Sequence, residues 1–323
     1  MATITRCEIC RGMLDEEDLF CANCGTEAPD RTEAHALQTQ TTTHKFQCNG
    51  CGASMSYSAE DQALACPFCG SVHLEEQPDA KTLVANSVVP MTVTQHDAIN
   101  AMRSWLGKGM WRPGDLSEKA MLVTTRSVYV PYWVFEAETH TYWTADTNRT
   151  PAFARGDWCP MAGEHTGRHS GLLVGASGAL TPAETAEICP FDLSAGKPPE
   201  EVDLQFATVE EFGLQRKYAR PLARAGIEAR ERNHCDALYV PGRSRNVNVN
   251  VRIEGMTSEP VLLPIWIMAY RYKNRVFRLL VNGQTGKVTG SAPTSVWKVL
   301  AAVGAGIAVV LLVLSLAALF LSR

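Results

Sequence analysis

The clearest regularity along the chain is V-N-V-N-V-R-I at Val247–Ile253, with an apolar side chain at every second position. Successive side chains of a strand point to opposite faces, so this pattern predicts a strand with one buried face. Ser127–Trp143, SVYVPYWVFEAETHTYW, is dense in aromatic and β-branched residues and predicts another strand. Its Tyr129, Tyr132, Trp133 and Phe135 suit a sheet core better than a platform for stacking bases. Val276–Gly290 reads strand, turn, strand, with Asn282-Gly283 as the hairpin signal. Helical spacing appears at Gln95–Leu106, where Ile99, Met102, Trp105 and Leu106 follow a Thr94/Asp97 capping pair. Gln215–Arg232 is helical and basic, though interrupted by Pro221 and Gly226.

A different pattern closes the chain. Val299–Ser322 is a run of 24 uncharged residues between Lys298 and Arg323. As a helix it would extend about 36 Å, against a hydrocarbon core of about 30 Å. The expectation is one C-terminal transmembrane helix over 297–322, a single-pass tail anchor in the inner (cytoplasmic) membrane with the bulk facing the cytoplasm. Ala302, Gly304, Gly306 and Ala308 give it small faces for helix–helix contact, and homo-oligomerisation is left open. No signal-peptide pattern is visible at Met1–Gly12.

Between these patterns lie breaks in composition. The predicted organisation is a zinc ribbon at 1–30, a linker at 31–43, a second ribbon at 44–77, a linker at 78–87 and a body at 88–293. The fold class expected is an α+β body of two halves, preceded by two small all-β zinc ribbons and followed by the transmembrane helix. Two echoes suggest that the halves, about 88–180 and 188–293, are related. Val130–Val134 resembles Leu263–Ile267, and Pro90–Thr94 resembles Pro190–Ser194. Chance likeness of β-rich segments is the alternative.

Cysteine spacing adds the chemistry. Eight of the eleven cysteines fall in four CxxC pairs. Cys7, Cys10, Cys21 and Cys24 read C-x2-C-x10-C-x2-C, and Cys48, Cys51, Cys66 and Cys69 read C-x2-C-x14-C-x2-C. Four thiolates so spaced suit tetrahedral Zn2+, and glycine follows three of the pairs (Gly25, Gly52, Gly70), where the turn favours positive φ. Two structural zinc ions are expected; iron in a rubredoxin-like site is the chemical rival. Four cysteine ligands leave no open coordination position, so the ions are expected to shape the protein rather than catalyse. The odd cysteine total points to a reducing compartment.

Charge then narrows the partner. The chain carries a formal −4, but residues 1–80 hold four Lys/Arg against thirteen Asp/Glu, a net of −9, leaving +5 for the rest. The loop inside the first ribbon is Asp15-Glu16-Glu17-Asp18. A polyanion would be repelled there, so the charge disfavours nucleic acid as a partner and favours a protein; a solvated turn without a partner is the alternative. No G-x-S-x-G, H-E-x-x-H, G-x-G-x-x-G in context or P-loop occurs, which predicts a protein that is not an enzyme. His165 and His169, with Cys159 upstream, hint at a third metal site. The run CPMAGEHTGRH, with its two glycines, reads instead as a polar loop. His234 and Asp236 beside Cys235 read as the end of a helical segment.

KFQCNGCGASMSY, LACPFCGS, VVPMTV, YVPYWVFEA, LLPIW and VNGQTGKVTG, followed by an apolar helix, together resemble a bacterial family. It is labelled TFIIB-type zinc ribbon-containing, or primosomal protein N′ (replication factor Y)-like. The resemblance covers nearly everything from Lys45 onward and carries over the zinc ligands Cys48, Cys51, Cys66 and Cys69. It implies association with flotillin-like or phage-shock-type proteins of membrane-stress modules. The function expected is a non-enzymatic, membrane-anchored adaptor that recruits cytosolic or membrane proteins. The alternative is a membrane-tethered nucleic-acid binder linked to replication, without a helicase motor.

Overall fold

Two very long strands organise the chain. A computed structural model describes residues 5–11, 13–14, 39–42, 45–56, 65–76, 80–204 and 208–321. In chain order the elements are β1 (Thr5–Arg6), β2 (Met13–Leu14), β3 (Thr39–Thr42), β4 (Lys45–Cys48), β5 (Ser54–Ser56), β6 (Leu74–Glu76), β7 (Ala80–Leu83) and β8 (Ser87–Val88). There follow α1 (Gln95–Gly107), α2 (Leu116–Lys119), β9 (Met121–Thr147), β10 (Cys159–Gly175), α3 (Pro182–Glu187), β11 (Thr208–Glu210), α4 (Arg216–Tyr239), β12 (Ser244–Tyr272), β13 (Arg275–Asn282), β14 (Val288–Gly290) and α5 (Val296–Leu321).

Strands β9 and β12 pair antiparallel along almost their whole lengths, with Val130 opposite Leu263 near the middle. Their β-branched and aromatic residues favour this extended, half-buried state. They form the centre of a ten-stranded mixed sheet in the order β14-β13-β12-β9-β11-β5-β4-β6, with β10 on β9 and β8 on β12. Helix α4 covers the end of the sheet built on Trp133, Phe135, Leu172 and Val174. Helix α1 covers the opposite end, over Met268, Tyr270, Leu279 and Val281.

The two ends are related by an internal two-fold. Val88 of β8 pairs parallel with Leu262 of β12, and Val209 of β11 pairs parallel with Tyr129 of β9. Trp266 Nε1 donates to Val93 O at 2.9 Å, and Trp133 Nε1 donates to Leu214 O at 2.8 Å. Each acceptor immediately precedes the N-cap of its helix, Thr94 for α1 and Gln215 for α4. The same shift relates Val130 to Leu263 and Trp133 to Trp266, so the first sequence echo marks equivalent positions. The second does not, because the counterpart of Val93 is Leu214 and not Leu193.

The ribbon at 44–77 is continuous with this sheet: β5 pairs with β4 on one side and with β11 on the other. Cys48, Met55, Cys66 and Phe68 lie in one buried cluster with Val128, Val130, Tyr132 and Leu263. Both segments expected as linkers contain paired strand, β3 with β7 and β8 with β12. In the first ribbon β1 pairs with β2. Cys21 and Cys24 lie outside the described residues.

The transmembrane expectation is overturned. Among the described residues no helix is long and apolar enough to cross a membrane. The C-terminal anchor over 297–322, the single-pass inner-membrane location and the membrane part of the expected fold class are corrected accordingly.

Two buried polar residues pin the connections. Asn282, fully buried, donates through Nδ2 to Ile188 O and Pro190 O at 3.0 and 2.9 Å. Its Oδ1 accepts from the N–H groups of Gln284 and Thr285, each at 2.9 Å. Glu210 Oε1 accepts from Ser177 Oγ and from the amides of Gly178 and Ala179, which fixes the loop after β10. Burial pushes the Glu210 carboxyl from an ordinary 4.5 up to about 7, although those three hydrogen bonds oppose the shift.

Asn282→Ala strands four backbone groups and is expected to cost roughly 2–4 kcal/mol in urea unfolding. For Glu210, the folded chain holds a proton that the unfolded chain has lost. Its stabilisation is therefore complete below about pH 4.5 and lost as the pH rises through about 7, a change of roughly 3 kcal/mol. Glu210→Gln should flatten the pH dependence of unfolding across that window; an unchanged slope would contradict the assignment.

Candidate metal centre

The residues Cys48–Ala53 and Cys66–Ser71 fold into two matching turns. Gly52 N donates to Cys48 O and Gly70 N to Cys66 O, both at 2.8 Å. Cys48 N donates to Ala53 O and Cys66 N to Ser71 O, again at 2.8 Å. Gly52 and Gly70 have φ of 78° and 76°, the left-handed region where a side chain is strained. This is why glycine follows each of these pairs. Face to face, the turns bring the four sulfurs within 4.8 Å of one another. Cys48 Sγ lies 3.5 Å from Cys69 Sγ, and Cys51 Sγ lies 3.7 Å from Cys66 Sγ. A tetrahedral ion with Zn–S bonds of about 2.3 Å has sulfur–sulfur edges of about 3.8 Å, so the four thiols could hold a metal ion, zinc included.

Their electrostatics fit a cation. Burial raises the Cys48 thiol, but the Cys51 and Gly50 amides and the neighbouring thiols outweigh it and bring Cys48 down to about 7. Burial pushes Cys51 up to about 11 and Cys66 higher still. One thiolate forms readily; four together need a positive ion among them. The centre is braced from the body, where Arg278 donates to Phe68 O at 3.2 Å and pairs with Glu184.

The first predicted set is described at one turn. Arg11 N donates to Cys7 O at 2.9 Å, and Arg11 takes φ of 62°, the place that Gly52 and Gly70 hold in the second set. Cys7 is buried and Cys10 exposed.

One constellation departs from the sequence reading. The run from Cys159 is strand β10, not a polar loop; its odd-numbered residues are the less exposed ones up to His169, and after the bulge between His169 and Leu172 the buried positions are Leu172 and Val174. His165 Nε2 and His169 Nε2 reach opposite oxygens of Glu231, Oε2 and Oε1, each at 2.5 Å. Glu231 is 1% exposed. Burial pushes its carboxyl up, yet the hydrogen bonds led by that from His169 prevail and hold it below its ordinary range. Cys235, fully buried one helical turn further on, is pushed up to about 11 by burial and by the Glu231 charge. Cys159 takes no part; its Sγ lies 3.8 Å from Pro160 O.

The missed signal was twofold. His165-x-Gly167-x-His169 has the two-residue period of a strand. Ala219, Ala223, Ile227, Glu231 and Cys235 recur every fourth residue on the buried face of α4. The glycines that argued for a loop make room: a Cβ at Gly167 would lie 2.8 Å from Glu231 Oε1, and one at Gly163 would lie 2.7 Å from the Trp143 ring.

No family model matches the chain. It is similar to a Bacillus subtilis (strain 168) protein described as "Uncharacterized protein YdjG", at 24% identity over 313 residues, covering 79% of this chain and 92% of that one. No solved structure matches.

Cys48→Ser should remove the metal bound by its set and, because Cys48 and Cys66 share a buried cluster with the central strands, lower the melting temperature of the whole chain. Metal analysis paired with calorimetry checks this. Loss of metal with an unshifted main transition would show that the ribbon is uncoupled from the body.

Proposed function

We propose that the chain is a non-enzymatic adaptor in which a zinc-clamped ribbon docks protein partners. The observation that supports this most is the four-thiol cluster itself. Its ligand set is complete, so a bound ion has no position for substrate, and two of its cysteines are buried in the body's core. Such a centre holds a shape. What it holds out is the turn after Cys69, where Val72 is 67% exposed, and β6, the terminal strand of the sheet path, with Glu75 and Glu76 exposed. The net −9 of residues 1–80 favours a partner with a basic face and disfavours nucleic acid. The flotillin-like and phage-shock-type proteins implied by the resemblance are the first partners to try.

The test is cross-linking and pull-down with the full chain, comparing the intact protein with Cys48→Ser/Cys51→Ser. A specific protein partner should be held by the intact chain, lost from the variant, and released as salt rises from about 0.1 to 1 M. Recovery of the chain alone, or DNA binding at physiological salt with a steep salt slope, would overturn the adaptor reading.

A further inference from the structure

We propose that His165, Glu231 and Cys235 form a metal site distinct from the cysteine ribbons, for a divalent transition-metal ion of borderline softness such as zinc, with His169 as the positioning residue. The ligand atoms of the three lie within 4.8 Å of one another. Imidazole, carboxylate and thiolate are each ligands that zinc accepts.

That convergence carries the inference, and the contacts of His165 are compatible with it. Its Nδ1 lies 3.1 Å from the backbone oxygen of Thr166, and its Nε2 lies 2.5 Å from Glu231 Oε2. Both neighbours accept, whereas a neutral imidazole donates from one nitrogen only. With the proton on Nδ1, the Nε2 lone pair faces an anionic oxygen; a second proton, giving an imidazolium–carboxylate pair, or a metal ion that draws the two atoms apart relieves that contact. Donation from Nδ1 to a backbone carbonyl is also how metal-bound histidines fix the tautomer that coordinates through Nε2.

The surroundings are built to the same end. The other oxygen of Glu231 is held by His169 Nε2 and by Thr139 Oγ1, the latter at 3.1 Å. Gly167 leaves room for the carboxylate. Two buried polar atoms lie close by: Trp143 Nε1 has no hydrogen-bond partner, and Thr141 Oγ1 makes only a weak approach to Glu231. Thr141 stands opposite His165 in the β9–β10 register, and Trp143 shares a buried cluster with Cys235. Three protein ligands leave one position of a tetrahedral ion for solvent, a group able to satisfy such orphaned atoms. The site does not depend on the adaptor reading.

The experiment counts metal per chain in the full-length protein after loading with Zn2+ or Co2+. Cys235→Ala and His165→Gln, with every CxxC cysteine intact, should each lose one equivalent and the cobalt absorption of a single-thiolate centre, while the tetrathiolate bands persist. His169→Gln should weaken that equivalent by about ten- to a hundredfold without removing it. Folded variants that bind as much metal as the unaltered chain would overturn the site and leave a buried His–Glu ion pair. Should the variants not fold, X-ray absorption at the zinc edge of the unaltered protein decides. Mixed nitrogen, oxygen and sulfur ligation supports the site, and sulfur-only ligation overturns it.

Discussion

Where Val130 passes Leu263, the 27-residue β9 and the 29-residue β12 run antiparallel, and the ten-stranded sheet with the helices packed on it is built out from that pairing. Strands added to one face of the register bring α1 over one end of the sheet, and strands added by the same rule bring α4 over the other. Trp133 and Trp266 tie each helix start to its sheet through one indole hydrogen bond apiece. A slip of one residue between β9 and β12 would turn Tyr132, Trp133 and their neighbours to the wrong face. The register is thereby fixed by packing at both ends at once.

That frame gives the two metal-competent constellations different characters. The four-thiol cluster sits in the ribbon and is braced by Arg278, so ribbon and body share a core. The His–Glu–Cys cluster sits where β9, β10 and α4 run on past their counterparts: α4 has 24 residues and α1 has 13. The duplicated part of the fold supplies the platform, and the extension supplies the chemistry.

Much of this was legible from local pattern. The Thr94 cap, the strands through Tyr132 and Val249, the hairpin at Asn282 and the CxxC turns of the second set each depend on near neighbours, and each appears where the sequence places it. Long-range facts were not legible. Nothing local to His165 announces Glu231, 66 residues away, and the glycines that open space for the carboxylate look, in sequence, like breaks in a strand. Ser54–Ser56 likewise gives no hint of β11 as its neighbour. The terminal apolar run shows the opposite hazard: residue counting along a sequence predicted a crossing that no helix among the described residues provides.

The reciprocal placement of β8 and β11 has a topological result. The opening strand of each half is lodged beside the long strand of the other, β8 against β12 and β11 against β9. The halves are therefore interlocked, and neither is a module that could be excised intact. A nick in the stretch joining them would leave one molecule of two chains, held by the same backbone ladder that unites it now.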